Sequence, residues 1–142
     1  MDEETKREII LEHNAHPFNR KTVTDEGFIK VNSNNSSCID NINLYVKFDK
    51  DKLVDFYFDG EACAISTSAT SIMIKSLLNK SLDEINTFIA NYEKMLAGKE
   101  YNNGLLEEAN VYSEIYKQQT RKKCALLPYE GLKEAIKKYL EN

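Results

Sequence analysis

The 142-residue chain lacks several features that would each assign it to a familiar class. No uninterrupted apolar run approaches the roughly 20 residues needed to cross a bilayer, so no membrane is expected as a partner. The opening Met1-Asp2-Glu3-Glu4 is acidic and carries no apolar signal core, which points to a cytoplasmic protein. Basic residues are never concentrated: the only cluster is Arg121-Lys122-Lys123, and the formal net charge is -4. A duplex-binding surface needs a far denser cationic patch, so no nucleic acid is expected. There is no internal repeat and no long linker. Cysteine is scarce and odd in number, at three. In a short cytosolic chain that argues against a disulfide framework and for thiol or metal chemistry.

What is present reads as an ordinary globular chain, 42% hydrophobic and 30% charged, with the length of a single domain over residues 1–142. Residues Glu3 to Glu12 predict a short amphipathic helix, ending before Pro17. A polar stretch follows in which Gly27–Val31 is a short strand and Asn32–Ser37 a loop. The period then becomes two. Ile42, Leu44, Val46 and Phe48 alternate with polar residues, and so do Val54, Phe56 and Phe58. Joined by Asp49-Lys50-Asp51-Lys52, these runs predict an antiparallel hairpin over Ile42–Phe48 and Leu53–Phe58, ended by Gly60.

From Cys63 the pattern is helical, with Ile65, Ala69, Ile72, Met73 and Leu77 on one face. Ser81 and Glu84 form a capping box for a helix carrying Leu82, Ile85, Phe88, Ile89, Tyr92 and Leu96, terminated at Gly98. Asn102-Asn103-Gly104 predicts a turn and Glu107–Gln118 a helix. A last helix begins near Tyr129 and carries Leu132, Ile136 and Leu140. Strands first and helices afterwards give an α+β fold, a small antiparallel β-sheet with helices packed on one face.

All three cysteines fall at expected joints: Cys38 before the hairpin, Cys63 at a helix start, Cys124 between two helices. A helix start favours the Cys63 thiolate through its free N–H groups and its positive dipole end. In extended backbone, Cys38 and Asp40 face the same side. Three thiolates and a carboxylate suit tetrahedral zinc or an iron–sulfur cluster. The competing reading makes each cysteine a small buried hydrophobe. His13 and His16 read as packing or capping residues rather than ligands or a general base. The run Ser66, Thr67, Ser68, Thr70 and Ser71 reads as small residues allowing close packing, with no nucleophile-elbow pattern.

The segment from Gly60 through Cys63-Ala64-Ile65-Ser66 to Met73 resembles the Gly-x-Gly-Cys-Ala-Ile-Ser-x-Ala-Ser-x-Ser-x-Met block of the NifU/IscU/SufU family of iron–sulfur cluster assembly proteins. His13 to Asn19 is similar to the family's His-x-x-x-Pro-x-Asn segment. Asn35 to Asp40 resembles Asn-Pro-x-Cys-Gly-Asp, and Arg121 to Tyr129 its last cysteine block. Ser36, Ile39 and Ala62 depart from the family's Pro, Gly and Gly. The SufU branch is the better match: 61 positions separate Cys63 from Cys124, with an insertion around Lys99 to Val111, and Lys123 stands where IscU types have histidine.

The resemblance implies a SufE/NifU-like fold and a zinc site of Cys38, Asp40, Cys63 and Cys124, with Cys38 as sulfur acceptor. Arg121 would pair with Asp40 or with a partner, and Asp40 would be the weakest-held ligand. The implied partners are a SufS-type cysteine desulfurase and recipient apo-proteins or other cluster-assembly proteins. Two alternatives use the same ligands: a scaffold for a [2Fe–2S] cluster or iron, and a structural zinc domain acting as a protein-binding module.

Overall fold

Nine residues, Asn41–Asp49, form strand β2 at the centre of a three-stranded antiparallel sheet ordered β1-β2-β3. Its partners are β1 (Ile29–Asn34) and β3 (Lys52–Glu61). The computed structural model describes residues 1–35 and 39–142. The alternation puts Val31, Ser33, Ile42, Leu44, Val46, Phe56 and Phe58 on one buried face. A register shift between Lys47 and Phe48 pairs Phe48 with Leu53. Leu53, not Val54, is therefore the fully buried residue at the start of β3. That corrects the expected phase of the strand, because a bulge resets which side chains face inward.

Strand β1 also runs further than expected. Asn32, Ser33 and Asn34 belong to it rather than to a loop. The Ser33 hydroxyl donates to the Leu127 carbonyl at 2.8 Å. On the outer face the Asn32 amide donates to the side chains of Asn41 and Asn43 at 2.6 and 2.9 Å. Cross-strand amide bonds thus offset the poor strand propensity of asparagine. The free edge of β3 is covered by the polar stretch after the first helix. Lys21 N–H donates to the Phe58 carbonyl, and Phe58 N–H to the Asn19 carbonyl, which removes an exposed strand edge.

Among the described residues five α-helices accompany the sheet: α1 (Glu3–Ala15), α2 (Ala64–Leu77), α3 (Leu82–Leu96), the single turn α4 (Asn103–Leu106) and α5 (Gln119–Glu141). Helices α2 and α5 lie against the strands and each other, α1 packs on α2, and α3 on α5. The Ser81–Glu84 capping box is present as predicted, and Gly98 follows the helix at φ +74°. The expected helix over 107–118 is instead two 3-10 segments, Glu107–Tyr112 and Ile115–Lys117. The buried residues Leu106, Ala109, Tyr112 and Ile115 recur every third position, the period of a 3-10 turn rather than of an α-helix.

The last helix starts ten residues before Tyr129, at Gln119, and passes through Pro128. Cys124 therefore lies inside α5, not between two helices. A proline in mid-helix has no N–H for the carbonyl four residues back, here that of Cys124. Ser66 Oγ lies 3.1 Å from that oxygen and supplies a donor. Among the described residues, no helix is long and apolar enough to cross a membrane.

Candidate metal centre

The hairpin register builds the first half of the site. Asn41 opens β2 and pairs with Glu61 at the end of β3. The residue before β2 therefore meets the residues after β3, and Asp40 comes opposite Cys63. Gly60 makes the approach possible. It sits at φ +111°, and a Cβ there would fall 2.1 Å from the Asn41 carbonyl oxygen, a contact only glycine avoids.

Cys63 has extended backbone and is the N-cap of α2. Its sulfur accepts the Ser66 N–H at 3.4 Å, the role a serine or aspartate oxygen usually plays at a helix start. Asp40 is 1% exposed. Its Oδ1 accepts the Cys63 N–H at 2.7 Å, and its Oδ2 accepts the Ser66 hydroxyl at 2.7 Å. The Cys63 sulfur lies 3.7 Å from Oδ2. Cys124 comes in from α5, buried at 5% exposure. A ligand atom from each of Asp40, Cys63 and Cys124 lies within 4.8 Å of the other two.

The donor set fits a metal ion. Bonds of about 2.3 Å to sulfur and 2.0–2.2 Å to oxygen place tetrahedral donors roughly 3.5–3.8 Å apart. The Cys63–Asp40 separation already has that value, and the whole group needs only a small contraction. An ionised carboxylate offers about four acceptor sites, so hydrogen bonding and ligation can be combined on one side chain. Without a cation, burial pushes the Cys124 thiol up, and the neighbouring Cys63 and Asp40 push it further. A bound divalent ion reverses that preference, because a coordinating thiol is deprotonated.

The site borders an open groove of 780 Å³ whose walls include Ile10, Leu11, Ile65, Ile115, Cys63 and Cys124. Arg121 lines the same groove and makes no ion pair with any described residue. Of the residues expected to share the site, Asp40, Cys63 and Cys124 converge; Cys38 lies outside the described residues. His13 is packed elsewhere, with Nδ1 2.7 Å from Ser71 Oγ and Nε2 3.3 Å from Glu108 Oε1. Ser71 is fully buried, which denies this Ser-His-Glu contact any substrate. His16 is the C-cap of α1.

Two contributors were not anticipated. Ser66 bridges Asp40 and the Cys124 carbonyl. Pro128 leaves that carbonyl without its helical donor. A proline four residues after a cysteine, within a stretch of apolar helical spacing, is the sequence signal for the second.

A three-stranded antiparallel sheet covered by helices, with a carboxylate and two thiols converging at the start of α2, defines a member of a known class. Residues 5–142 match the NifU-like N terminal domain, and the chain belongs to that family. It is 33% identical over 132 residues to the iron-sulfur cluster assembly scaffold protein IscU of Thermotoga maritima, covering 92% of each chain. Identity to the zinc-dependent sulfurtransferase SufU of Bacillus subtilis is 31% over 133 residues, 93% of this chain and 89% of that one. The crystal structure of FiSufU from Fervidobacterium islandicum, named for the SUF system, superposes with a TM-score of 0.84. Its sequence is 31% identical, and the match covers 90% of this chain and 93% of that one.

Proposed function

We propose that the chain is a zinc-dependent sulfur acceptor of iron–sulfur cluster assembly, acting in the cytoplasm as one domain with a SufS-type cysteine desulfurase. The observation that carries this reading is the convergence of Asp40, Cys63 and Cys124 within 4.8 Å beside an open groove. A purely structural zinc site is closed, whereas a transfer site has to be reached by its partner. The likeness to a relative named as a zinc-dependent sulfurtransferase supports the same reading, as do the long Cys63–Cys124 step and the Arg121-Lys122-Lys123 run.

In this reading zinc is held by Cys38, Asp40, Cys63 and Cys124, and it keeps the thiols ionised. Cys38 is the acceptor. Its thiolate attacks the outer sulfur of the desulfurase persulfide. The new S–S bond forms on Cys38, the old one breaks, and the desulfurase cysteine leaves as thiolate with the electron pair. Asp40 is the ligand that yields, because a carboxylate holds zinc less firmly than thiolates. Arg121, which lines the same groove as Cys63 and Cys124, pairs with Asp40 or with the incoming partner, and the sulfur passes on to recipient apo-proteins or other cluster-assembly proteins.

The similarity to a relative named as an IscU scaffold favours a second reading, in which the same ligands hold iron or a [2Fe–2S] cluster for transfer. One preparation separates the two. Untagged protein purified without oxygen is assayed for zinc, iron, acid-labile sulfide and visible absorption. It is then mixed with a SufS-type desulfurase and cysteine. Sulfur acceptance predicts bound zinc, faster alanine formation and protein-bound persulfide. A labile cluster that moves to apo-ferredoxin, with no effect on the desulfurase, overturns it in favour of the scaffold.

A further inference from the structure

Ser66 is fully buried, and its hydroxyl carries one proton but faces two oxygen acceptors, with the Cys63 sulfur farther off at 3.5 Å. Asp40 Oδ2 lies at 2.7 Å and the Cys124 carbonyl at 3.1 Å. The second acceptor exists because Pro128 has no N–H to give it. A lone serine between a helix turn and a carboxylate would ordinarily be a static brace. Here the brace has a second place to go.

We propose that Ser66 is a positioning residue that sets how readily Asp40 releases the metal, holding the carboxylate through one proton that the Cys124 carbonyl takes up when Asp40 leaves. While Asp40 ligates, the shorter contact keeps Oδ2 oriented and restrains the carboxylate. When Asp40 swings away, the proton turns to the Cys124 carbonyl. Neither the hydroxyl nor the carbonyl is then left buried without a partner, a loss that costs roughly 1–3 kcal/mol where it occurs. The exchange lowers the penalty of opening the site on its Asp40 side. The Cys63 N–H gives up Oδ1 in that step, while the Ser66 backbone N–H keeps the Cys63 sulfur.

The inference rests on the metal-binding part of the proposed function, and the test separates the two. Wild type, Ser66→Ala, Ser66→Thr and Pro128→Ala are loaded with zinc. Release to a chromogenic chelator is timed, and thermal melts are recorded for zinc-free and zinc-loaded protein. Outer-shell partners of metal ligands typically change affinity by about 10–100-fold. Ser66→Ala is therefore expected to release zinc about tenfold or more faster, with a smaller melting gain on zinc binding. Ser66→Thr keeps the hydroxyl and stays near wild type. Pro128→Ala restores an N–H for the Cys124 carbonyl, so that oxygen no longer depends on Ser66 and is a weaker alternative acceptor, which slows release.

A merely structural serine lowers both melts equally and leaves release unchanged, which overturns the proposal. If Ser66→Ala does not fold, Pro128→Ala decides alone: slower release supports the shared proton, and unchanged release refutes it. A wild-type protein that takes up no zinc refutes the metal reading itself and this proposal with it.

Discussion

Ser66 and Ser71 sit on the same helix, α2, and both are fully buried. Each bonds a titratable side chain from a distant part of the chain, Asp40 in one case and His13 in the other. The two networks are nevertheless built for different ends. Ser71 accepts the Phe18 N–H at 2.7 Å and meets His13 Nδ1 at 2.7 Å. His13 Nε2 turns to Glu108, which also accepts from Lys75 at 2.9 Å. If the ring is neutral with its proton on Nε2, each of these donors has an acceptor and the set is closed. It clips α1 and the following segment to α2 and to the 3-10 segment that carries Glu108. Ser66 has an acceptor to spare, and its neighbours Cys63 and Cys124 line the open groove. A buried serine on a helix is thus a fastener or a pivot according to how many acceptors surround its one proton.

The contrast is broken most severely at the thiol end. Cys63→Ser keeps an N-cap oxygen for the Ser66 N–H, so the fold survives. It removes a thiolate, and zinc affinity is expected to fall by more than about a hundredfold, beyond the roughly 10–100-fold typical of outer-shell partners. Circular dichroism measures the first effect and chelator competition the second. Loss of folded signal in Cys63→Ser would mean that the site is chiefly a staple. Ser71→Ala is the mirror image. It leaves the Phe18 N–H and His13 short of a partner, which costs about 2–3 kcal/mol in urea unfolding. Zinc affinity should stay within about twofold of wild type, given the distance and separate partners of the two networks. A large drop in affinity would show that the networks communicate along α2.

Asp40 gives the next, smaller effect. The sequence reading treats it as a detachable ligand, so its removal should spare the fold. The structure adds a second duty, since Oδ1 takes the Cys63 N–H and Oδ2 the Ser66 hydroxyl. Asp40→Ala therefore destabilises the protein by about 1–3 kcal/mol through the orphaned Cys63 N–H, the Ser66 hydroxyl turning to the Cys124 carbonyl, before any metal effect. Asp40→Asn keeps an oxygen for one of them and is the cleaner probe. It should retain most of the stability while zinc exchange quickens. Equal destabilisation by both substitutions would show that the carboxylate charge, not its hydrogen-bond capacity, holds the α2 start.

The hairpin and the α3 capping box were legible because their signals are local: alternation over a few residues, and a Ser and Glu three positions apart. The convergence of Asp40 and Cys63 follows from that hairpin, since paired strands must bring their flanking residues together. Cys124 was expected between two helices and lies inside α5. Pro128, followed by Tyr129, imitates a helix start, whereas the chain tolerates the proline because Ser66 satisfies the freed carbonyl from another helix. No window around Pro128 contains that information. The strand residues Asn32 to Asn34 were hidden for the same reason, because their support comes from Asn41 and Asn43 across the sheet. The 3-10 segment was readable in principle from the threefold spacing of Leu106, Ala109, Tyr112 and Ile115.

The smallest expected effect sharpens the fastener side of the comparison. Burial by itself would raise the Glu108 carboxyl, but the Lys75 hydrogen bond, the His13 ring when protonated and the Lys75 charge outweigh it and hold it below its ordinary value. A carboxyl lowered in the folded state binds fewer protons there than in the unfolded chain. Its contribution to stability is therefore present above the ordinary carboxylate range and is lost as pH falls through that range to the lowered value. Glu108 and Lys75 are both partly solvated, so the contribution at neutral pH is below about 1 kcal/mol. Glu108→Gln should lower stability by that amount at neutral pH and be indistinguishable from wild type once the carboxyl is protonated. Urea unfolding of the two proteins across the acid range tests it. A constant difference at all pH values would assign Glu108's contribution to packing and hydrogen bonding alone. A difference that closes on acidification assigns it to the Glu108 charge paired with Lys75, and zinc release should be the same in both proteins throughout.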